Sequence, residues 1–192
     1  DILKDLGAIK HDLSRPLERD VTYLARIKEK FCFDRHVYAN CNPKSSTGRN
    51  DVQVRILADG ISRYDVLPAK FRGQVWIAIT PKSFPIKIAA GETLSQIRFF
   101  NHDTTLNEEE LEESLKKDLL LWDKTGQRSL KSGDIKVKDR DNSFILTIDL
   151  AADSDIVGWE CLGDRKILDF SKLNHYAPLD FFRPLKIVSG KI

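Results

Sequence analysis

The sequence predicts a mainly β protein, an antiparallel sandwich or barrel with one short connecting helix. Two observations carry that reading. Period-two runs of β-branched and aromatic residues recur between residues 21 and 99, broken by Pro- and Gly-bearing turns such as Pro68 and Gly73. One stretch near residue 110 switches to helical spacing. A chain of 192 residues holds one ordinary domain or two small ones.

Val21, Tyr23, Ala25 and Ile27 share one face of the first expected strand, and Val52, Val54 and Ile56 one face of the next. Val75, Ile77 and Ile79 follow, then Phe84, Ile86 and Ile88, then Ile97 and Phe99. Pro81 and Pro85 flank a tight connection, where a missing N–H does least harm. Asn107 with Glu110 forms a capping-box pattern, and Leu111 and Leu115 share a helical face, so a helix is expected over roughly 108–120. Glu108, Glu109, Glu112 and Glu113 favour its N-terminal end, and Lys116 and Lys117 its C-terminal end. This acidic run reads as a solvated face rather than a metal site or partner surface. Strand patterning returns after Gly126: Phe144, Leu146, Ile148 and Leu150 alternate, and Ile167 to Phe170 suggest another strand. Lys136, Lys138 and Arg140 read as one exposed strand face. Tyr176 to Leu185 has no closing pattern and looks like a domain entered but not finished.

Charges nearly cancel, 31 basic against 29 acidic, which gives no electrostatic case for nucleic acid or an anionic membrane. No apolar run approaches the roughly 20 residues that span a bilayer. Cys32, Cys41 and Cys161 form no C-x-x-C pair, so a disulfide framework or structural zinc is not expected and a reducing cytoplasm is the default. Position 1 is Asp and Met is absent throughout, so the natural chain is expected to begin earlier.

Pro43-Lys44-Ser45-Ser46-Thr47-Gly48-Arg49 combines one fixed bend, one glycine, three hydroxyls and two cations. Backbone N–H groups and hydroxyls donate to phosphate oxygens, and Lys44 and Arg49 neutralise their charge. A polar surface turn has the same composition, and composition alone favours the turn. The motifs on either side of this stretch, and their spacing, reverse that preference.

Ala39 to Arg49, then Asp59-Gly60, Tyr64-Asp65, Phe71-Arg72-Gly73 and Leu94-Ser95-Gln96-Ile97-Arg98-Phe99, resembles the dCTP deaminase / dUTPase superfamily. The likeness is greatest to the long, two-repeat bacterial dCTP deaminases. Ile167 to Phe170 with His175-Tyr176 through Pro184-Leu185 resembles the start of a second repeat. The resemblance implies a distorted β-barrel or jelly-roll (β-clip) unit over residues 1–103, incomplete at its start. A helical linker would occupy 104–126, and the beginning of a second repeat 127–192. Such units assemble as trimers or pseudo-trimers with active sites between units.

The resemblance also implies roles. Ser45 would position the attacking water, and Arg49 would stabilise the reacting centre. Lys44, Ser46, Thr47 and Gly48 would hold phosphate, the backbone of Ala58 beside Asp59 would read the cytosine edge, and Gln96 would reach the phosphates. Mg2+ would arrive with the triphosphate, held mainly by its oxygens. The implied reaction is hydrolytic deamination of dCTP to dUTP and ammonia, a hydrolase step on a cyclic amidine C–N bond. No His/Cys/Cys zinc-deaminase signature occurs, since His11, His36, His102 and His175 are scattered.

One departure is plain. The superfamily's general-base glutamate aligns with Ala78, and alanine moves no proton. Asp59 and Asp65 are the nearest substitutes in sequence, each with an ordinary turn or capping role. The dUTP pyrophosphatase branch requires an aspartate just before the aromatic-Arg-Gly motif, where Pro68 and Lys70 stand. A catalytically degenerate nucleotide-binding or assembly domain, or a dUTP pyrophosphatase acting on dUTP, is the alternative within the superfamily, and a nucleotide-free β-sandwich interaction domain the alternative outside it. Trp76, Trp122 and Trp159 read as core or interface packing. Arg98 shares the face of Gln96, as a phosphate contact or a solvated arginine. Cys41 reads as a small buried side chain.

Overall fold

Alternation becomes sheet wherever one face finds a core to cover. The computed structural model describes residues 7–135, 145–146, 156–163 and 166–186. The chain divides into two units, Asp1–His102 with Asp155–Ile192, and Asp103–Ser154. The first contains β1 (Tyr23–Cys32), β2 (Tyr38–Pro43), α1 (Ser45–Arg49), β3 (Val52–Ala58), β4 (Val66–Leu67), β5 (Arg72–Pro81), β6 (Ile86–Lys87) and β7 (Ser95–Phe100). It also contains β8 (Ile156–Cys161), β9 (Leu168–Asp169) and β10 (Phe182–Lys186). The fold is mainly β with few helices.

Strands β1, β5 and β3 form one antiparallel sheet in that order, and β4, β2 and β7 another. Register makes each core face. Val54 pairs with Ile79 and Ile56 with Ile77, so apolar side chains from β3 and β5 line up on one side. They pack into a single cluster with Ala39 and Cys41 of β2 and Leu67 of β4, joined by Leu17, Ile86 and Leu94. Ile86 lies at a crossing: Leu17 bridges to it, and β6 pairs parallel with β9 through Ile86 and Leu168. Strands β8 and β10 form a separate antiparallel pair.

Several details differ from the sequence expectations. Val21 precedes the strand, and Ala25 is exposed. The register of β1 slips between Arg26 and Lys30, and Gln74 donates its side-chain amide to the carbonyls of Ile27 and Glu29 there. Strand β6 is only two residues long. Phe84 is instead buried beside it, edge-on to Phe181 and Phe182 at 4.9 and 5.4 Å. Strand β2 has no apolar alternation beyond Ala39 and Cys41, and no strand was expected there; its other face carries Asn40 and Asn42. The expected unfinished end contains β10, whose Pro184 sits opposite Trp159. Trp159 and Trp122 are about half exposed, so neither is a core residue.

The second unit contains α2 (Glu108–Lys117), ending three residues before the expected limit with Asp118 as its C-cap. The capping box is present: Asn107 Oδ1 accepts from the Glu110 N–H, and Glu110 Oε2 from the Asn107 N–H, both at 2.9 Å. A tight loop comes next, closed by the Trp122–Ser129 bridge and turned at Gly126 (φ 69°). Arg128 pairs with Asp134 at 2.8 Å in a short 3-10 turn. Phe144, Ile148, Leu150 and the Lys136–Arg140 face lie outside the described residues; Leu146 is described and exposed.

Candidate functional site

The polar stretch after β2 is a helix, where sequence composition had suggested only a loop. Lys44 is extended (ψ 146°), and the chain then coils through Ser45–Arg49, with the Gly48 N–H donating to the Lys44 carbonyl at 3.0 Å. No side chain caps the start. Neighbours hold the helix instead. The Lys44 N–H donates to the Leu94 carbonyl (3.0 Å), and Lys44 Nζ donates to Thr93 Oγ1 (2.7 Å). Thr47 is 1% exposed and pins the helix into the core. Asp51, at φ 51°, turns the chain out of the helix into β3, and its carbonyl accepts from the Lys82 N–H at 3.0 Å.

That burial splits the expected phosphate contacts. Ser45, Ser46, Gly48 and Arg49 are exposed and Lys44 half-buried, while the Thr47 side chain faces protein. Ser45 and Arg49, four residues apart, share one helical face, and Ser46 and Asn50 share the next. Among the described residues neither Lys44 nor Arg49 makes an ion pair, so neither cation is committed to a carboxylate. Gln96 pairs with Asn42 at the end of β2, at the root of the same helix, and is exposed. Arg98 shares its face and donates to Asn42 Oδ1.

Ala58 and Asp59 sit elsewhere. Strand β3 begins at Val52 beside α1 and ends at Ala58, and six residues at about 3.3 Å each put Ala58 roughly 20 Å from that end. A single copy therefore does not bring Ala58, expected to read the cytosine edge, next to the stretch expected to hold phosphate. Asp59 is exposed in the turn after β3, where Gly60 has φ 74° and the Ile61 N–H donates to the Ala58 carbonyl (3.1 Å).

Ala78 lies midway along β5 on the sheet face turned away from the core, directly across from Leu24 and Arg55. Arg55 turns to Asp65 on the other edge of β3, Nη1 to Oδ2 at 2.7 Å, and the other carboxylate oxygen of Asp65 accepts from the Ile56 N–H at 2.8 Å. Both oxygens of Asp65 are thereby engaged in fixing the β3–β4 connection. Cys41 is buried behind this sheet, and burial, helped by the nearby Asp65 charge, pushes its thiol up to about 11 from 9.0. A thiol so protonated is a packing group, as its sequence context suggested. Among the described residues no three His, Cys, Asp or Glu side chains gather to hold a metal ion.

A cleft of about 430 Å³ opens beside α1. Lys44, Ser46 and Asn50 form one side, and the segment 168–182 the other. Nothing in the sequence marked Asn50, Thr93 or that segment as neighbours of α1, because the pairing that joins them is tertiary.

The 2'-deoxycytidine 5'-triphosphate deaminase (DCD) N-terminal domain family matches residues 1–103. A crystal structure titled 2'-deoxycytidine 5'-triphosphate deaminase from Agrobacterium tumefaciens is similar, with a TM-score of 0.73 and 28% identity. The match covers 91% of this chain and 48% of that one, so this chain spans about half of that protein's length. No curated protein matches the sequence.

Proposed function

The chain belongs to the dCTP deaminase family, and from that premise we propose that it grips a pyrimidine deoxynucleoside triphosphate in a protein that deaminates dCTP to dUTP and ammonia. The observation that carries this reading is the Lys44–Arg49 segment: exposed hydroxyls at Ser45 and Ser46, beside two cations without carboxylate partners among the described residues. In the reaction, water adds to C4 of cytosine, the 4-amino group takes a proton, and ammonia leaves. Ser45 orients the water, and Arg49, on the same helical face, stabilises charge developing at the reacting centre. Lys44, Ser46 and the backbone of Thr47 and Gly48 hold the phosphates, and Gln96 reaches them.

The ligand's base end is read by the Ala58 backbone beside Asp59. The roughly 20 Å from the α1 end of β3 to Ala58 supports a site in which α1 and the Ala58 backbone come from different copies or repeats. A homo-oligomer, a trimer or pseudo-trimer, accounts for this separation, and light scattering of the purified chain measures it. Mg2+ would come with the nucleotide. The cleft beside α1 has two carboxylates, Glu92 and Asp169, and no cluster of three among the described residues, so phosphate oxygens would be the ion's main ligands.

Incubation with dCTP and Mg2+ tests the reading. Ammonia release above a protein-free control is expected, and Arg49→Ala should lower it at least 100-fold. A second reading rests on Ala78. General acid–base catalysis contributes roughly 10²–10⁴-fold, and Asp65 is committed to Arg55 and Ile56. If this chain binds dCTP without turnover, it is a binding repeat whose base comes from elsewhere, and Ala78→Glu should then raise ammonia release.

A further inference from the structure

The cleft beside α1 has a second wall to which no role has been given. We propose that the segment 168–182 completes the triphosphate site, with Lys172 and His175 as additional phosphate contacts. This rests on the nucleotide reading above. Lys44 and Ser46, the phosphate contacts assigned on the near wall, line the same cleft as Lys172, Asn174 and His175. The base stays with the groups assigned to the reacting centre, and the far wall meets only the phosphate tail.

Three features make this wall a built surface. The first is rigidity. Tyr176 packs edge-on against Phe181 at 5.2 Å and Phe181 against Phe84 at 4.9 Å, while the Tyr176 hydroxyl accepts from the Asp169 N–H at 3.1 Å. His175 stands against Tyr176 at 5.1 Å, and Asn174 takes φ 54° to turn the chain there. Contacts on such a ladder are ordered before the ligand arrives, which lowers the entropy cost of binding.

The second is charge. The two carboxylates lining the cleft are engaged locally. Asp169 Oδ1 accepts from the Ser171 N–H and hydroxyl at 3.0 and 2.7 Å, and Glu92 Oε1 from the Thr93 N–H at 3.4 Å. Lys172 makes no direct ion pair among the described residues, and its charge, after the Ser171 hydrogen bonds, helps hold the Asp169 carboxyl below its ordinary value. Lys44 and Lys172 place one ammonium group on each wall, balanced by the Glu92 and Asp169 carboxylates, so a polyanion between the walls meets a cation on either side. The third is size, since about 430 Å³ falls in the range of small-molecule clefts.

Calorimetry on the full chain with Mg2+ and three probes tests the proposal: dCTP, inorganic triphosphate and deoxycytidine. Lys172 and His175 are exposed, so Lys172→Ala and His175→Ala should melt with the wild type. Each is expected to weaken dCTP and triphosphate at least tenfold while leaving deoxycytidine unchanged, and Lys172→Glu should weaken them further. Arg49→Ala serves as the control for the nucleotide reading. If the wild type binds dCTP and Arg49→Ala weakens it, yet both wall variants stay within twofold, the second wall is wrong and the nucleotide reading survives. If the wild type binds neither dCTP nor triphosphate, both readings fall together.

Discussion

The two α-helices among the described residues are made in opposite ways. Helix α2 carries its own instructions: a reciprocal cap, three glutamates in its first turn, two lysines in its last, and a Glu112–Lys116 pair at 2.8 Å. Helix α1 has no side-chain cap, no acidic residue in its first turn, and a glycine inside five residues. Isolated helices that short do not persist. What orders α1 is the platform beneath it, through buried Thr47, the Leu94 carbonyl and the Thr93 hydroxyl. A locally encoded helix serves structure, whereas one imposed by its surroundings is free to use its side chains on a ligand. Hydroxyls and cations that would be ordinary on α2 become candidate contacts on α1.

Breaking the platform should therefore cost far more than editing either helix surface. Thr47→Asp places a charge where the side chain is 1% exposed, and should destabilise the protein by about 3 kcal/mol or more. Urea denaturation measures this. The matched change on α2, Glu112→Ala, removes only a solvated pair and should cost roughly 0.5 kcal/mol or less. Equal losses would mean that α1 is not anchored through Thr47.

The platform also has a pH dependence. Cys41 lies in β2, two residues before Pro43, and its folded thiol titrates at about 11 against 9.0 for an ordinary one. Because the folded value is raised, the contribution is complete below pH 9 and is lost as pH climbs towards 11. Between those values the unfolded chain has released the proton and the folded chain keeps it, so the folding constant drops roughly tenfold per pH unit. Cys41→Val abolishes that titration. Denaturation at about pH 8.5 and about pH 10.5, on either side of the unfolded thiol's range, should show a smaller alkaline loss for the variant than for the wild type.

The same contrast explains what could be read in advance. The β3 and β5 alternation and the Asn107–Glu110 cap are local patterns with one outcome, and both are present as expected. The family, too, was legible, because NPKSSTGR and its spacing to Gln96 are contiguous text. Strand β2 was not, since its half-buried outer face is Asn40 and Asn42 and its core face a mere Ala39 and Cys41. Nor was the helical state of Ser45–Arg49, which depends on residues near position 94, nor the meeting of Ile86 with Leu168 from far along the chain. Ala78 was visible as a missing glutamate. That its cross-strand neighbour Arg55 is tied to Asp65 required register.

The smallest predicted effect is also the sharpest test of the two-helix contrast. Asn107→Ala removes one half of the capping box and leaves the Glu110 N–H without its side-chain acceptor, a loss of about 1 kcal/mol. Amide exchange along 108–117 should quicken about fivefold, with Leu111 and Leu115 reporting, and exchange at Val54 and Ile77 should not change. Lys44 occupies the equivalent position on α1 but caps nothing. Lys44→Ala should leave exchange at Gly48 and Asn50 within twofold, because Thr47 and the Leu94 carbonyl still hold the turn. If Lys44→Ala instead frees α1 as strongly as Asn107→Ala frees α2, the lysine is a structural strut to Thr93, and its charge is not held in reserve for phosphate.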